Sequence, residues 1–196
     1  ILYRRGGVVK VVQELISLCW IVFLVYWLVS ALSTKKTAER LSWVGRIVHR
    51  IPTFFGALLL FRPDLVPALD GPVVPHSVIP QAIAVTLCVL GLLGAIWSRR
   101  TLAKNWSGEV VFKEQHELVE RGPYRWVRHP IYTSLLLMAL ATALASGRLG
   151  SFLGFLLLVA GLVIKSQMEE SLLLRHFPDS YAAYKARVKA LVPFIW

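Results

Sequence analysis

At 196 residues, with 56% hydrophobic and only 17% charged side chains, the chain is too apolar for an average soluble domain. Its net charge of +11 would suit nucleic acid if the cations formed one patch, but they lie in short connections flanking apolar runs, where a membrane protein carries its positive-inside excess. Composition thus excludes a soluble globular domain and a nucleic-acid partner, and it predicts an all-α, integral membrane helical bundle.

A bilayer core needs roughly 20 apolar residues per helix, and about five candidate transmembrane helices follow in chain order. The first spans residues 11–32, interrupted only by Gln13 and Glu14 near its start. It is too long for the core of a cleaved signal peptide and carries no small-residue cleavage pattern. The second lies within residues 42–69, with a short clean core at 51–61 that has Pro52 near its front and Arg62 behind it. Arg46, His49 and Arg50 fall at helical spacing ahead of that core and mark an interfacial approach. Residues 63–80, rich in Pro and holding Asp64, Asp70 and Gly71, read as a loop that runs into a third helix at 78–97. Residues 131–145 and 149–165 form a tight hairpin turning at Ser146-Gly147-Arg148. Beyond Lys165 the pattern becomes amphipathic, so the last helix is expected to continue out of the bilayer.

The basic connections at residues 35–50, 99–128 and 185–189 share one side of such a bundle, and the positive-inside bias makes that side cytoplasmic. Arg4, Arg5 and Lys10 at the opposite N-terminus are the exception. Cys19 and Cys88 sit inside apolar runs and read as small buried hydrophobes. No close ligand spacing among the five histidines suggests a metal site. A single membrane domain, residues 1–196, accounts for the chain, without internal repeats.

The densest chemistry lies between Arg121 and Tyr132, answered some forty residues later by Glu169-Glu170. Arg128-His129 stands directly before Pro130 and an apolar run, so it places cationic and hydrogen-bonding groups at a helix N-terminus, where Pro is favoured and unpaired N–H groups attract anions. Glu169 and Glu170 supply the opposite charge. A ligand with both a carboxylate and a positive centre would suit the combination. Adjacent helical residues point about 100° apart, so only one glutamate is expected to face the pocket, the other being solvated or paired with Lys165. Taken singly, Arg121, Arg125 and Arg128 are also juxtamembrane anchors, Tyr124, Trp126 and Tyr132 an interfacial belt, and Tyr181 and Tyr184 packing residues.

The ordered set Asn105-Trp106-Ser107, His116-Glu117-Leu118-Val119, Gly122-Pro123-Tyr124, Arg128-His129-Pro130-Ile131-Tyr132, Glu169-Glu170 and Phe177 with Tyr181 and Tyr184 resembles the isoprenylcysteine carboxyl methyltransferase and phospholipid methyltransferase superfamily. The resemblance covers residues 97–188 and is carried by the elements recurring together around an apolar hairpin. It departs at Thr133-Ser134 and at Pro178, which bears on the substrate more than on the cofactor.

This resemblance implies an integral membrane enzyme that takes S-adenosylmethionine from the cytoplasmic side and methylates a lipophilic acceptor: an isoprenylcysteine-type carboxylate, a phospholipid amine or a related group. It implies cofactor contacts at His116, Leu118, Val119, Gly122, Tyr124, Arg128, His129, Pro130, Tyr132 and Glu169, and catalytic roles for Arg128, Glu169 and Glu170. Residues 98–196 would form the cofactor-binding region and residues 1–97 the divergent helices that meet the acceptor and membrane lipids. An NADPH-dependent membrane reductase related to sterol reductases is the enzymatic alternative. A small transporter is the other, disfavoured because its pathway would need ionisable residues near the membrane midplane, which the apolar runs of 78–97 and 131–164 lack.

Overall fold

A computed structural model of the chain describes residues 2–32, 37–40, 43–103, 111–113 and 118–193. Among the described residues six α-helices carry the fold: α1 (Leu2–Ala31), α2 (Trp43–Phe61), α3 (Val78–Leu102), α4 (Pro130–Ser146), α5 (Leu149–His176) and α6 (Pro178–Arg187). The helical architecture matches the expected membrane bundle, with one addition. Two short strands, β1 (Thr37–Arg40) and β2 (Val111–Lys113), pair antiparallel and tie the connection after α1 to the one before the Arg128 segment.

Among the described residues three helices are long and apolar enough to cross a bilayer: Gly7–Ala31, Val78–Leu102 and Leu149–His176, of 25, 25 and 28 residues. The two others of the expected five, Ile47–Phe61 and Pro130–Ser146, are shorter apolar helices. The physical reason is local. Basic residues and His49 precede the apolar part of α2, while α4 is bounded by Pro130 at its first turn and by Gly147, which ends it in a left-handed conformation at φ 65°. Each short helix lies along a long one, α4 on α3 and α2 on α5.

Small residues set these approaches. A Cβ on Gly154 of α5 would stand 2.7 Å from the Gly56 carbonyl oxygen and 3.0 Å from the Leu59 carbonyl carbon, so α2 and α5 touch backbone to backbone. Inside α2, Pro52 leaves one helical hydrogen bond unmade. Thr53 beside it donates to the His49 carbonyl at 2.7 Å.

The core between α1, α3 and α4 is built from Val12, Ile16, Phe23, Ala84, Cys88, Ala95, Met138 and Ala141. The outer faces keep large apolar side chains exposed, among them Leu18, Leu28, Val29, Phe54 and Leu93, as a lipid-facing surface requires. At one end of the bundle the α4–α5 turn is pinned by Val73 N–H donating to the Gly147 carbonyl at 2.7 Å and Leu149 N–H to Gly71 at 2.9 Å. The C-terminus of α5, the start of α4 and α6 meet at the other end.

Candidate functional site

The site grows from a turn. Gly122 takes φ 59°, and a Cβ there would lie 3.1 Å from the Thr101 hydroxyl oxygen on α3, so both conformation and space favour glycine. The short 3-10 helix Gly122–Arg125 that follows buries Tyr124. Its carbonyl accepts a 2.6 Å hydrogen bond from the Tyr184 hydroxyl of α6. Burial, reinforced by the Glu169 carboxylate, raises the Tyr124 phenol well above its ordinary pKa, so it remains a neutral packing group.

The chain then runs extended beside the segment after α6. Arg128 N–H donates to the Lys189 carbonyl at 2.8 Å and His129 N–H to Ala190 at 3.0 Å, while the Thr133 hydroxyl reaches the Leu191 carbonyl at 2.7 Å. These bonds fix the direction in which the Arg128 and His129 side chains leave. Pro130, without an N–H, opens α4 where none is needed.

Both side chains converge on α5. Glu170 Oε1 accepts from Arg128 Nε at 2.8 Å, and Arg128 Nη2 lies 2.7 Å from the same oxygen. His129 Nε2 sits 3.1 Å from it as well. Lys185 Nζ of α6 approaches Oε2 at 2.9 Å. The remaining Arg128 nitrogen, Nη1, donates to the Val188 carbonyl and, at 3.3 Å, to Lys185 O, the last carbonyls of α6, where the helix dipole favours a cation.

Glu169 is not solvated away from this group. Its Oε1 accepts a 2.5 Å hydrogen bond from the Tyr132 hydroxyl, and its Oε2 stands 3.6 Å from His129 Nδ1. Both carboxylates reach the His129 imidazole. The imidazole bridges the two carboxylates through its two nitrogens, and Tyr132 stacks on it with centroids 5.4 Å apart and planes 5° from parallel. Lys165 Nζ lies 5.3 Å from the Tyr132 ring centroid.

The two acids differ in access, Glu170 being 7% exposed and Glu169 22%. Glu170 holds the cluster together, and Glu169 is the more accessible of the two acids.

Among the sequence-predicted residues, Arg128, His129, Tyr132, Glu169 and Glu170 form this contiguous cluster, and Tyr124 and Gly122 shape the turn beneath it. Leu118 and Val119 are half-buried in an irregular segment just before that turn. His116 and Asn105-Trp106-Ser107 lie outside the described residues. Lys185, read from sequence only as part of the basic connection at 185–189, joins the cluster, and the signal for it was its position one turn beyond Tyr181 on the same face of α6. Tyr181 is 1% exposed and packs below the cluster.

Arg128 departs from the sequence expectation in its partners. All three of its nitrogens are engaged by groups of the chain itself, so in this arrangement it positions Glu170 and the end of α6.

Comparison with known proteins gives one consistent picture. Protein-S-isoprenylcysteine O-methyltransferase of Schizosaccharomyces pombe is 36% identical over 83 residues, covering 42% of this chain and 35% of the relative. The protein of the same name from Saccharomyces cerevisiae is 29% identical over 134 residues, covering 64% of this chain and 55% of the relative. The chain thus spans about a third to a half of the length of these curated relatives. The solved structure of a eukaryotic intramembrane Ras methyltransferase, isoprenylcysteine carboxyl methyltransferase, shares the fold. The match has a TM-score of 0.52 at 22% identity over 76% of this chain and 52% of that one. The pattern described as phospholipid methyltransferase matches residues 79–180, which contain all but the first residue of α3, the whole of α4, the Arg128-His129 pair and both glutamates. That match covers more than half of the sequence, and the chain belongs to the phospholipid methyltransferase family.

Proposed function

We propose that the chain catalyses S-adenosylmethionine-dependent methyl transfer to a lipophilic acceptor at the cytoplasmic face of a membrane. The observation that carries this reading is the Tyr132–Glu169 pair, backed by the buried Arg128–His129–Glu170 cluster, at the end of an apolar hairpin inside the family match. The basic connections gathered at the same end support the cytoplasmic assignment.

The donor set suits such a cofactor. The more accessible carboxylate, Glu169, offers acceptors to an ammonium group. When bound, the cofactor supplies an electrophilic methyl group and leaves as a neutral thioether, while the acceptor oxygen or nitrogen gains the methyl.

The chain's own residues bind, orient and exclude water, because an in-line displacement asks chiefly for alignment. Glu169 and Tyr132 hold the polar end, the Leu118–Tyr124 segment covers the remainder, and the lipid-exposed helices admit the acceptor laterally. Arg128 and Lys185 act through Glu170 as positioning residues, keeping the α5 terminus, α4 start and α6 in register.

The test is methyl transfer from labelled S-adenosylmethionine by the reconstituted protein, with N-acetyl-S-farnesylcysteine and phosphatidylethanolamine as acceptors. Label in either lipophilic acceptor supports the reading. Label in neither, with oxidation of NADPH by a sterol-like substrate instead, would replace it with the reductase.

A further inference from the structure

A buried cation outside the cluster around Glu170 joins two helix ends. Arg99, in the last turn of α3, is 3% exposed. Its Nη2 donates to the Ser30 carbonyl at 2.6 Å, and its Nη1 donates to the Ala103 carbonyl at 2.6 Å. Ser30 belongs to the last turn of α1, whose carbonyls have no partner within their own helix. That turn holds no basic residue, so the guanidinium of α3 supplies the cation that the negative end of the α1 dipole favours.

The second contact holds an unusual backbone. Ala103 caps α3 at φ 49° and ψ −123°, and among the described residues it is the one non-glycine with positive φ. A side chain disfavours that conformation, which persists where its surroundings fix it. Arg99 does so twice: its carbonyl accepts from the Ala103 N–H, and its guanidinium donates to the Ala103 carbonyl. The direction in which the chain leaves α3 is set by these bonds.

Both joined ends lead toward the site. The chain from α1 runs to β1 and the chain from Ala103 runs to β2, and the strands pair with Arg40 opposite Val111 and Glu39 opposite Phe112. Strand β2 packs against α5, the helix of Glu169, and precedes the Leu118–Tyr124 segment. The ends held by Arg99 are therefore the two roots of one ribbon. The same turn of α3 also supports Gly122 through Thr101. Glu169 and Arg99 act in opposite senses on the buried Tyr124 phenol, so the latch and the site share a neighbour.

We infer that Arg99 is a positioning residue of the cofactor site, holding the ends of α1 and α3 together so that the β1–β2 ribbon and the Leu118–Tyr124 segment keep their places beside Glu169. Its effect on the cofactor rests on the proposed methyl-transfer reading, whereas its hold on the ribbon does not.

The test uses the full chain in detergent, with amide exchange read by mass spectrometry in the absence of cofactor, S-adenosylhomocysteine affinity by calorimetry, and the unfolding midpoint alongside. Arg99→Lys keeps the buried charge but offers one nitrogen in place of a fork that spans two carbonyls. Exchange at Thr37–Arg40 and Val111–Lys113 should quicken about tenfold while the middle of α3 stays protected, and affinity should fall about tenfold. Ala103→Val, at an exposed position, leaves the guanidinium in place and opposes the backbone that it holds. It should quicken exchange in β2 and weaken affinity severalfold even if the lysine variant fails to fold. Unchanged ribbon exchange in the folded variants would overturn the inference. So would a lowered midpoint with wild-type affinity per folded molecule, the mark of a merely structural contact. A wild-type protein that binds no S-adenosylhomocysteine would overturn the methyl-transfer reading, and the exchange result would still decide whether Arg99 holds the ribbon.

Discussion

Arg128 and Glu170, 42 residues apart in sequence, meet through two guanidinium nitrogens on one carboxylate oxygen, at 2.8 and 2.7 Å, with both side chains less than a tenth exposed. This contact closes the α4–α5 hairpin at its polar end. It also divides labour between the two adjacent glutamates, since Glu170 is consumed by protein partners and Glu169 retains access.

Glu170→Gln should therefore act on the fold. It removes the charge to which Arg128, His129 and Lys185 are drawn, leaving the buried Arg128 guanidinium without its partner, and about 2–4 kcal/mol of stability should be lost. Thermal unfolding in detergent should show a lowered midpoint. Glu169→Gln should leave that midpoint nearly unchanged and reduce methyl transfer at least tenfold.

Arg128→Lys should resemble Arg128→Ala more than wild type. A lysine has one nitrogen, which cannot hold Glu170 and the carbonyls of Lys185 and Val188 together. Limited proteolysis should release the α6 segment in both variants. A lysine variant with wild-type protection and activity would show that charge alone suffices.

Tyr132→Phe keeps the ring stacked on His129 and deletes the hydroxyl bonded to Glu169. The fold should persist, while Glu169 loses the bond that orients it. A drop in cofactor affinity of about tenfold, worth about 1.4 kcal/mol, is expected by titration.

Gly154→Val probes the packing that carries the site. Its side chain would push into the backbone of α2 at Gly56 and Leu59. A destabilisation of about 1–3 kcal/mol should follow, with activity per folded molecule preserved at low temperature.

Much of this was legible in the sequence, for identifiable reasons. Opposite charges bracketing one apolar hairpin, Arg128-His129 and Glu169-Glu170, can meet only at its open end, away from the turn, and they do. The hairpin turn was equally plain from Ser146-Gly147-Arg148. The engagement of both glutamates was not legible, because it depends on His129 presenting its two nitrogens to neighbouring residues and on Tyr132 one turn away. Neither is visible in the 100° separation of adjacent helical positions. Lys185 was hidden by its ordinary setting, a cation near the chain's end, until α6 folded back onto α5. The β1–β2 pair escaped because segments of four and three residues are too short for an alternation to register. The lengths of α2 and α4 followed from their boundaries, and hydropathy alone did not distinguish them from full spans.

The central claim is that Glu169, held by Tyr132 at the end of a membrane hairpin, is the accessible acid of a cofactor site. Calorimetric titration of the solubilised protein with S-adenosylhomocysteine tests it most directly, in wild type and in Glu169→Gln. The account predicts saturable one-to-one binding that weakens at least tenfold in the variant while the unfolding midpoint in the absence of ligand stays the same. Binding of equal strength in both proteins would contradict the assignment of Glu169, and no binding to a folded wild-type protein would contradict the site itself.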